Sequence, residues 1–469
     1  LSGTGTGEVV FRGISTDSRK CREGNLFIAL AGEHFDGHDY LTQARRQGAA
    51  GVLVHRQSQG LPGEFPVIVV GDTLHALGDL ASWWRRRFKP TVIAITGSSG
   101  KTTTKEMIAA IMTRRGEVLK TEGNFNNLIG LPLTLLRMRS GDTAAVLELG
   151  TNTPGEIARL ARMARPDIAL ITNIGLAHLA GFTNLAGVAA EKRDLFRELP
   201  ATGTMIVNQD DPFLRDAGRD WRGGIVTFGM HAAADVYADG IIPVPVSGAG
   251  AAGQDGTGEK YRPETRFTLH LGEERQEITM SVAGEHQIVN ALAAAASTWA
   301  AGANREEIVM GLGGFIPPPG RMEIISLAGG AFVINDAYNA NPSSVREALR
   351  TLQQLKGRGR SVAVLGDMLE LGPGEGTWHE EIGGLLADTG VTRVYLRGRL
   401  SGATAAGASK RGLPAAAIIV ADDQEEIARD LRSYLRAGDW VLVKGSRRLE
   451  MDKVTAALRR IYGQEGGGG

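Results

Sequence analysis

The 469-residue chain has a single cysteine, Cys21, so no disulfide can close within it and no cysteine-built metal cluster can form. Such thiol-poor composition suits a reducing compartment, and a cytoplasmic location is expected. An excess of one charge is also missing. Lys and Arg number 52 and Asp and Glu number 52, leaving no formal net charge. Bulk electrostatic coating of nucleic acid or of an anionic membrane is thereby disfavoured, and neither is expected as a partner. No apolar run approaches the ~18 residues that span a bilayer. The opening residues Leu1 to Phe11 carry neither a basic nor an apolar stretch, so no secretory leader is expected. Hydrophobic residues at 42% and charged residues at 22% exclude disorder as the main state. What is abundant is glycine: 64 residues, close to double the usual ~7%, with no Gly-X-Y period. Many of these must serve turns and loops where backbone approaches a ligand. The closing run of glycines reads as a disordered end.

At roughly 150 residues per domain the length points to about three domains, and the pattern divides accordingly. Residues 1–89 hold short apolar runs at 25–30 and 51–55, a strand-like 66–70, and a helix over 73–88 with Thr73 in the capping position. Residues 90–318 alternate buried strands (Thr91–Thr96, 143–149, 167–172, Thr204–Asn208) with helices, the first over 103–115. This implies a parallel sheet with ligands at the strands' C-terminal ends. Between about 231 and 287 the pattern breaks into Gly/Ala/Pro-rich sequence and alternating segments at 266–271 and 277–282, a small antiparallel insertion. An Ala-rich helix over 286–301 resumes the domain. Pro317-Pro318-Pro319-Gly320 reads as a linker. Residues 319–469 then form a second doubly wound, Rossmann-like α/β domain with strands at 331–335, 361–365, 392–396, 416–420 and 439–443.

The strongest motif is Thr96-Gly97-Ser98-Ser99-Gly100-Lys101-Thr102-Thr103, set between a buried strand and a helix. Glycines let backbone N–H groups close around phosphates while the helix N-terminus adds favourable partial charge. Lys101 would reach the β/γ-phosphates and the Thr102 hydroxyl would bind Mg²⁺. The usual first glycine is replaced by Ile95, so this is a compact phosphate loop starting at Gly97. Glu148 and His178 follow neighbouring strands on the same edge, where a carboxylate and an imidazole could hold Mg²⁺ or a polarised oxygen. Lys192 lies in a charged helix and on its own reads as a solvated lysine. His286 and Asn290, four apart, share a helix face; the amide could pair with a base edge, or simply cap or pack. The run Asn335-Asp336-Ala337-Tyr338-Asn339-Ala340-Asn341-Pro342 is richer in amides and acid than a turn requires, although Asn341-Pro342 also suits a helix start. Arg321 and Lys444-Gly445-Ser446-Arg447 supply cations.

Taken in order, these segments resemble the Mur ligase family of ATP-dependent peptide-bond-forming enzymes in peptidoglycan precursor synthesis, over nearly the whole chain. The residues that carry the resemblance are Thr96 through Glu106, Gly123-Asn124-Phe125-Asn126-Asn127-Leu128-Ile129-Gly130, Glu148-Leu149-Gly150 with Pro154-Gly155-Glu156-Ile157, Asp336 through Pro342, and Lys444 through Arg447. Within the family, the members joining D-alanyl-D-alanine to UDP-N-acetylmuramoyl-tripeptide fit best. The arginine motif of the diaminopimelate-adding members is not evident.

The resemblance implies roles. Gly97, Ser98, Ser99, Gly100, Lys101, Thr102 and Thr103 would cradle ATP, with Thr102 and Glu148 holding one Mg²⁺. Glu148, His178 and a carbamylated Lys192 would serve a second. Asn290 would contact adenine, and Arg321, Asp336, Tyr338 and Asn339 would close on the nucleotide. Lys101, Glu148, His178, Lys192 and Arg321 would act in catalysis. Asn124, Asn126 and Asn127 would face the UDP-sugar peptide. Ser15-Thr16-Asp17-Ser18-Arg19 and Phe35-Asp36-Gly37-His38 resemble the family's UDP-binding domain, with Ser18 and Arg19 near the uridine or its phosphates. A monomer is expected. Two positions depart from the family's pattern: Asn335 stands where a second aspartate is frequent, and Glu191 precedes Lys192 where a small residue is common.

Three alternatives compete with this reading. Another Mur-type or folylpolyglutamate-type ligase is opposed by segment 124–130 and by the domain order. A phosphate-loop switch or motor ATPase would hydrolyse ATP without the UDP-sugar peptide. A silent nucleotide-binding module is opposed by Lys101, Thr102, Glu148 and His178 together.

Overall fold

The computed structural model describes residues 2–4, 9–32, 35–56, 61, 65–177, 179–244 and 263–463. The expectations placed on His178 and on the closing glycines fall outside these residues, as does part of the Gly/Ala/Pro-rich stretch.

Three sheets follow one another along the chain. The N-terminal sheet has five strands in the order Ser2–Thr4, Val67–Val69, Ala49–Val54, Asn25–Ile28, Gly13–Ser15. Only the Ser2–Thr4 pairing is antiparallel. The helix Thr73–Arg85 follows, and its cap is Asp72 rather than Thr73: the Asp72 carboxylate accepts from the His75 N–H at 2.8 Å. Aspartate at that position satisfies an otherwise orphaned donor, which the buried Thr73 does not do. This helix joins two cores, with Leu77 in the N-terminal one and Ala81 in the central one.

The central sheet has nine strands. From one edge they run Glu274–Met280, Glu264–Leu271, Val236–Val244, Gly224–Gly229, Thr204–Asn208, Ile168–Ile171, Thr91–Thr96, Asp142–Glu148, Glu117–Lys120. The last seven, from Val236–Val244 onward, pair in parallel, while the expected antiparallel segments extend the same sheet as its far edge. Residues such as Ile93, Ile95, Val146 and Leu170 are buried because helices cover both faces, as continuous apolar strands require. The Ala-rich helix Glu285–Ala300 and the helix Lys101–Met112 pack together on one face. The latter begins at Lys101, two residues earlier than its apolar pattern suggests.

The third sheet runs Glu323–Ser326, Phe332–Asp336, Trp440–Lys444, Ser361–Gly366, Arg393–Arg397, Ile418–Val420. The segment 331–335 was expected as the first strand here. It is the second, preceded by the antiparallel edge strand Glu323–Ser326, whose four residues lie too close to the Pro/Gly linker to stand out by pattern. Trp378 packs against both the central and the C-terminal cores. Among the described residues, no helix is long and apolar enough to cross a membrane.

Candidate active site

In the central sheet, Thr91–Thr96 lies between Ile168–Ile171 and Asp142–Glu148, so the crossover connections diverge at its C-terminal end and open a crevice there. The phosphate loop occupies that crevice. Gly97 and Gly100 both adopt positive φ, at 150° and 79°. A Cβ on Gly97 would lie 1.9 Å from the Thr172 hydroxyl, and one on Gly100 would lie 2.3 Å from Asn290 Oδ1. Only glycine lets the loop pass both neighbours. The far wall comes from 172–175: the Ser98 N–H donates to Asn173 O, and the Ser99 N–H donates to Asn173 Oδ1, each at 3.0 Å. Asn173 is thus part of the site, and it escaped sequence reasoning because a lone asparagine after a strand carries no pattern.

The Lys101 ammonium donates to Gly97 O at 2.7 Å. Burial pushes its pKa below the ordinary lysine value; Glu148 pulls the other way and Arg321 adds to the fall. Thr102 is the hub. Its hydroxyl donates to Glu148 Oε2 at 2.8 Å and accepts from Arg321 Nη2 at 2.8 Å. Asn126 Nδ2 donates to the other oxygen, Glu148 Oε1, at 2.9 Å. Glu148 itself is 3% exposed. Four of the residues expected at the site therefore meet within direct hydrogen-bond distance, drawn from four separated stretches of chain.

A cleft of about 960 Å³ surrounds them. Its walls include Asn290, Asn124, Asp336, Tyr338 and Asn339. The linker turns so that the Arg321 guanidinium lies 3.9 Å from the Tyr338 ring centroid, a cation–π contact that steers it toward Thr102. Asp336 Oδ2 accepts from the buried Lys444 ammonium at 2.5 Å, and Lys444 also donates to Asn339 O at 3.0 Å. Asn341 is the helix start that its sequence allowed: it caps Pro342–Leu355 and exchanges hydrogen bonds with Ser344. Its amide also reaches Ser98 O at 3.4 Å. Asn335 takes no place in the cleft wall; its amide donates to Glu323 and its buried Oδ1 has no partner among the described residues. Removing one member of a buried ion pair strands the other charge, at about 3–5 kcal/mol. Asp336→Ala should accordingly lower the unfolding midpoint in denaturant and restrict the change to the C-terminal sheet, read by hydrogen exchange there.

Lys192 is not solvated. The helix Leu185–Arg197 turns it inward to 2% exposure, and among the described residues its amine has no hydrogen-bond partner. Burial, then repulsion from Lys101, pushes its pKa well below the ordinary value, with Glu191 opposing. Glu191 is turned to other work. Its carboxylate accepts from Gly155 N at 2.7 Å, Ile157 N at 2.9 Å and the Thr151 hydroxyl at 3.0 Å. It thus satisfies the start of the helix Glu156–Ala164, where a negative charge is favoured.

His286 lines the same cleft; burial holds its imidazole down at about 4, and its Nδ1 has no partner among the described residues. Asn127 spends its Oδ1 on Ile129 N and Gly130 N, starting the helix Gly130–Leu135. Ser18 and Arg19 do not line the cleft. The buried Ser18 hydroxyl donates to Gln43 Oε1 at 2.8 Å, while the exposed Arg19 pairs with Asp17 and holds that carboxyl down at about 2.

Known proteins share this arrangement. The Mur ligase middle domain matches residues 95–298, the glutamate ligase domain of Mur ligases matches 320–447, and the catalytic domain of the Mur ligase family matches 10–85. The UDP-N-acetylmuramoyl-tripeptide–D-alanyl-D-alanine ligase of Bacillus subtilis is 36% identical over 451 residues, 96% of this chain and 94% of the relative. A crystal structure of MurF from Acinetobacter baumannii superposes with a TM-score of 0.84 at 33% identity, covering 96% of this chain and 94% of that one. MurF from Thermotoga maritima, solved in complex with ADP, gives 0.84 at 27% identity, covering 98% and 100%.

Proposed function

The chain belongs to the Mur ligase family, and from that premise we propose how its cleft works. It is an ATP-dependent ligase that joins D-alanyl-D-alanine to UDP-N-acetylmuramoyl-tripeptide in peptidoglycan precursor synthesis. The observation that carries the site assignment is the Thr102 hydroxyl, held between Glu148 of the central sheet and Arg321 of the C-terminal part. We assign the uridine end of the substrate to residues 1–89, with Ser18 and Arg19 toward it. ATP belongs to 90–318, and 319–469 closes over both. The reaction takes place in the cytoplasm.

The chemistry is amide formation through carboxylate activation. The terminal carboxylate of the tripeptide attacks the γ-phosphorus of ATP, ADP leaves, and an acyl phosphate forms. The free amine of D-alanyl-D-alanine then attacks the acyl carbon through a tetrahedral intermediate; inorganic phosphate leaves and the amine loses a proton. Two anions meet in the first step, so fixed cations decide the barrier. Lys101 lies along the phosphate loop to neutralise the β/γ-oxygens, and Arg321 reaches the same point from across the linker. Asn290, beside Gly100, faces the adenine, with Tyr338 and Asn339 along the nucleotide. Asn124 and Asn126 face the tripeptide. Asp336 acts through Lys444, whose ammonium it holds at the cleft wall. Closure about 317–320 orients three substrates and keeps water from the acyl phosphate.

Magnesium fits the donor set. Mg²⁺ takes hard oxygens, typically one or two carboxylates together with phosphate oxygens. Glu148 and the Thr102 hydroxyl, 2.8 Å apart, offer this at the loop's mouth. Among the described residues no group of three or more His, Cys, Asp or Glu could hold a metal; Glu148 and Thr102 would hold the ion together with the nucleotide's oxygens. Bound there, the ion supplies charge neutralisation on the transferred phosphoryl group. If the Lys192 amine took up CO₂ and released a proton, its carbamate would offer oxygen donors, and Glu148, His178 and this group would serve a second ion.

Phosphate release from Mg-ATP is the direct test, with each of the other two substrates withheld in turn. Release should require both and yield a UDP-linked pentapeptide. Release indifferent to both would leave a nucleotide site and remove the substrates assigned to it.

A further inference from the structure

Lys105 is one of the largest side chains in the molecule to be fully buried, at 1% exposure. It lies on the phosphate-loop helix Lys101–Met112, three residues beyond Thr102 and so on the same face. Nothing in the proposed reaction uses its charge. A buried ammonium is costly unless paired and hydrogen-bonded, and this one is both. It donates to the Thr121 carbonyl at 2.6 Å and lies 2.9 Å from Glu106 Oε1, whose other oxygen accepts from Lys120 at 2.5 Å.

Thr121 is where the arrangement leads. Fully buried, it continues the ladder at the end of Glu117–Lys120 by donating its N–H to Val146 O at 3.1 Å. Its hydroxyl accepts from the Glu148 N–H at 3.0 Å. The same residue opens the loop that runs to Asn126, whose amide donates to Glu148 Oε1 and whose carbonyl accepts from the Gly150 N–H at 2.8 Å. Glu148 is therefore fixed at its amide by Thr121, at one oxygen by Asn126 and at the other by Thr102. Two of those three holds come from segment 121–126, and the base of that segment is fastened to the phosphate-loop helix by Lys105.

We propose that Lys105 is a positioning residue, which acts through Thr121 to fix the Glu148 carboxylate relative to Thr102 and so prearranges the Mg-ATP site. One helix grips the acid at both ends: Thr102 touches its carboxylate, and Lys105 fastens the residue that holds its backbone. The same link ties the phosphate loop to the asparagines that face the tripeptide. The inference rests on Glu148 being the metal-binding acid.

Lys105→Met keeps the length of the side chain and removes the ammonium; Thr121→Val keeps the β-branch and removes the hydroxyl; Thr121→Ser keeps the hydroxyl. In the free protein, amide exchange across 121–126 and at Glu148 should quicken in the first two and match the parent in Thr121→Ser. In assays of the complete reaction, the Mg²⁺ concentration for half-activation should rise about tenfold in Lys105→Met and Thr121→Val, and kcat should fall about tenfold, as loss of an outer-shell partner typically does. Thr121→Ser should restore both. A merely structural lysine would lower the unfolding temperature and leave exchange at 121–126 and the Mg²⁺ requirement where they were; that result overturns the proposal. Should Lys105→Met not fold, the two Thr121 variants decide alone. Glu148→Gln separates the two layers: if its Mg²⁺ requirement is unchanged, the site reading itself fails, whereas a raised requirement there with none in Thr121→Val removes only the role of Lys105.

Discussion

Lys101→Ala should abolish turnover, with a loss of at least ~10³-fold, on the order of 4 kcal/mol of transition-state stabilisation. The expectation follows from where the ammonium is. It lies at the first turn of the phosphate-loop helix, 2.7 Å from the Gly97 carbonyl, and so runs back along the loop. A carboxylate attacking a triphosphate brings like charges together, and an ammonium fixed in a dry site is worth far more there than in water. Arg321 is already committed to the Thr102 hydroxyl, so it should not replace the missing ammonium. Removing a cation already disfavoured by burial costs the fold little, so circular dichroism and the unfolding midpoint should stay near those of the parent while phosphate release vanishes. Near-normal release in this variant would end the phosphate-loop assignment.

Lys192→Met should separate stability from activity. The parent carries an amine at 2% exposure with no partner among the described residues, an arrangement that costs several kcal/mol when charged. Methionine of similar length removes that cost, so the unfolding temperature should rise. Turnover should nevertheless fall by about 10²-fold or more, because the proposed carbamate and its oxygens could no longer form. Lys192→Ala empties the space of the buried side chain, and there added formate or acetate should recover part of the lost rate. A gain in stability with loss of function is what a residue kept for chemistry produces. Full activity in both variants would leave the buried amine without a role in the reaction.

The parts of this molecule that could be read from sequence are those whose chemistry is local. The phosphate loop announces itself because glycines, Lys101 and Thr102 must be consecutive to wrap a phosphate, and the strands beside it are plain because burial on both faces makes them continuously apolar. Glu148 was legible from its place at a strand end. Lys192 and Lys105 were not, because in charged or polar runs nothing marks which residue the helix turns inward; that depends on the face the sheet covers. Glu191 illustrates the same point. Beside Lys192 in sequence, it looked like a perturbing neighbour, but it is committed to the start of Glu156–Ala164 by three hydrogen bonds. Asn173 and Thr121 work through their backbone neighbours in distant strands, and no spacing rule reaches across a sheet. The edge strand Glu323–Ser326 was missed for a humbler reason: four residues are too few for alternation to show.

Trp378 would give the proposed hinge a preferred position. Its indole is shared by the central and C-terminal cores, so swinging the two apart wets one of its faces. Exposing even half of such a ring, roughly 60–100 Å² at about 25 cal/mol per Å², costs about 1.5–2.5 kcal/mol. That would be a bias of roughly ten- to seventyfold in population against parting the two. Product escape should then be slowed by this indole together with the Arg321–Thr102 and Asn341–Ser98 contacts that also join the two parts.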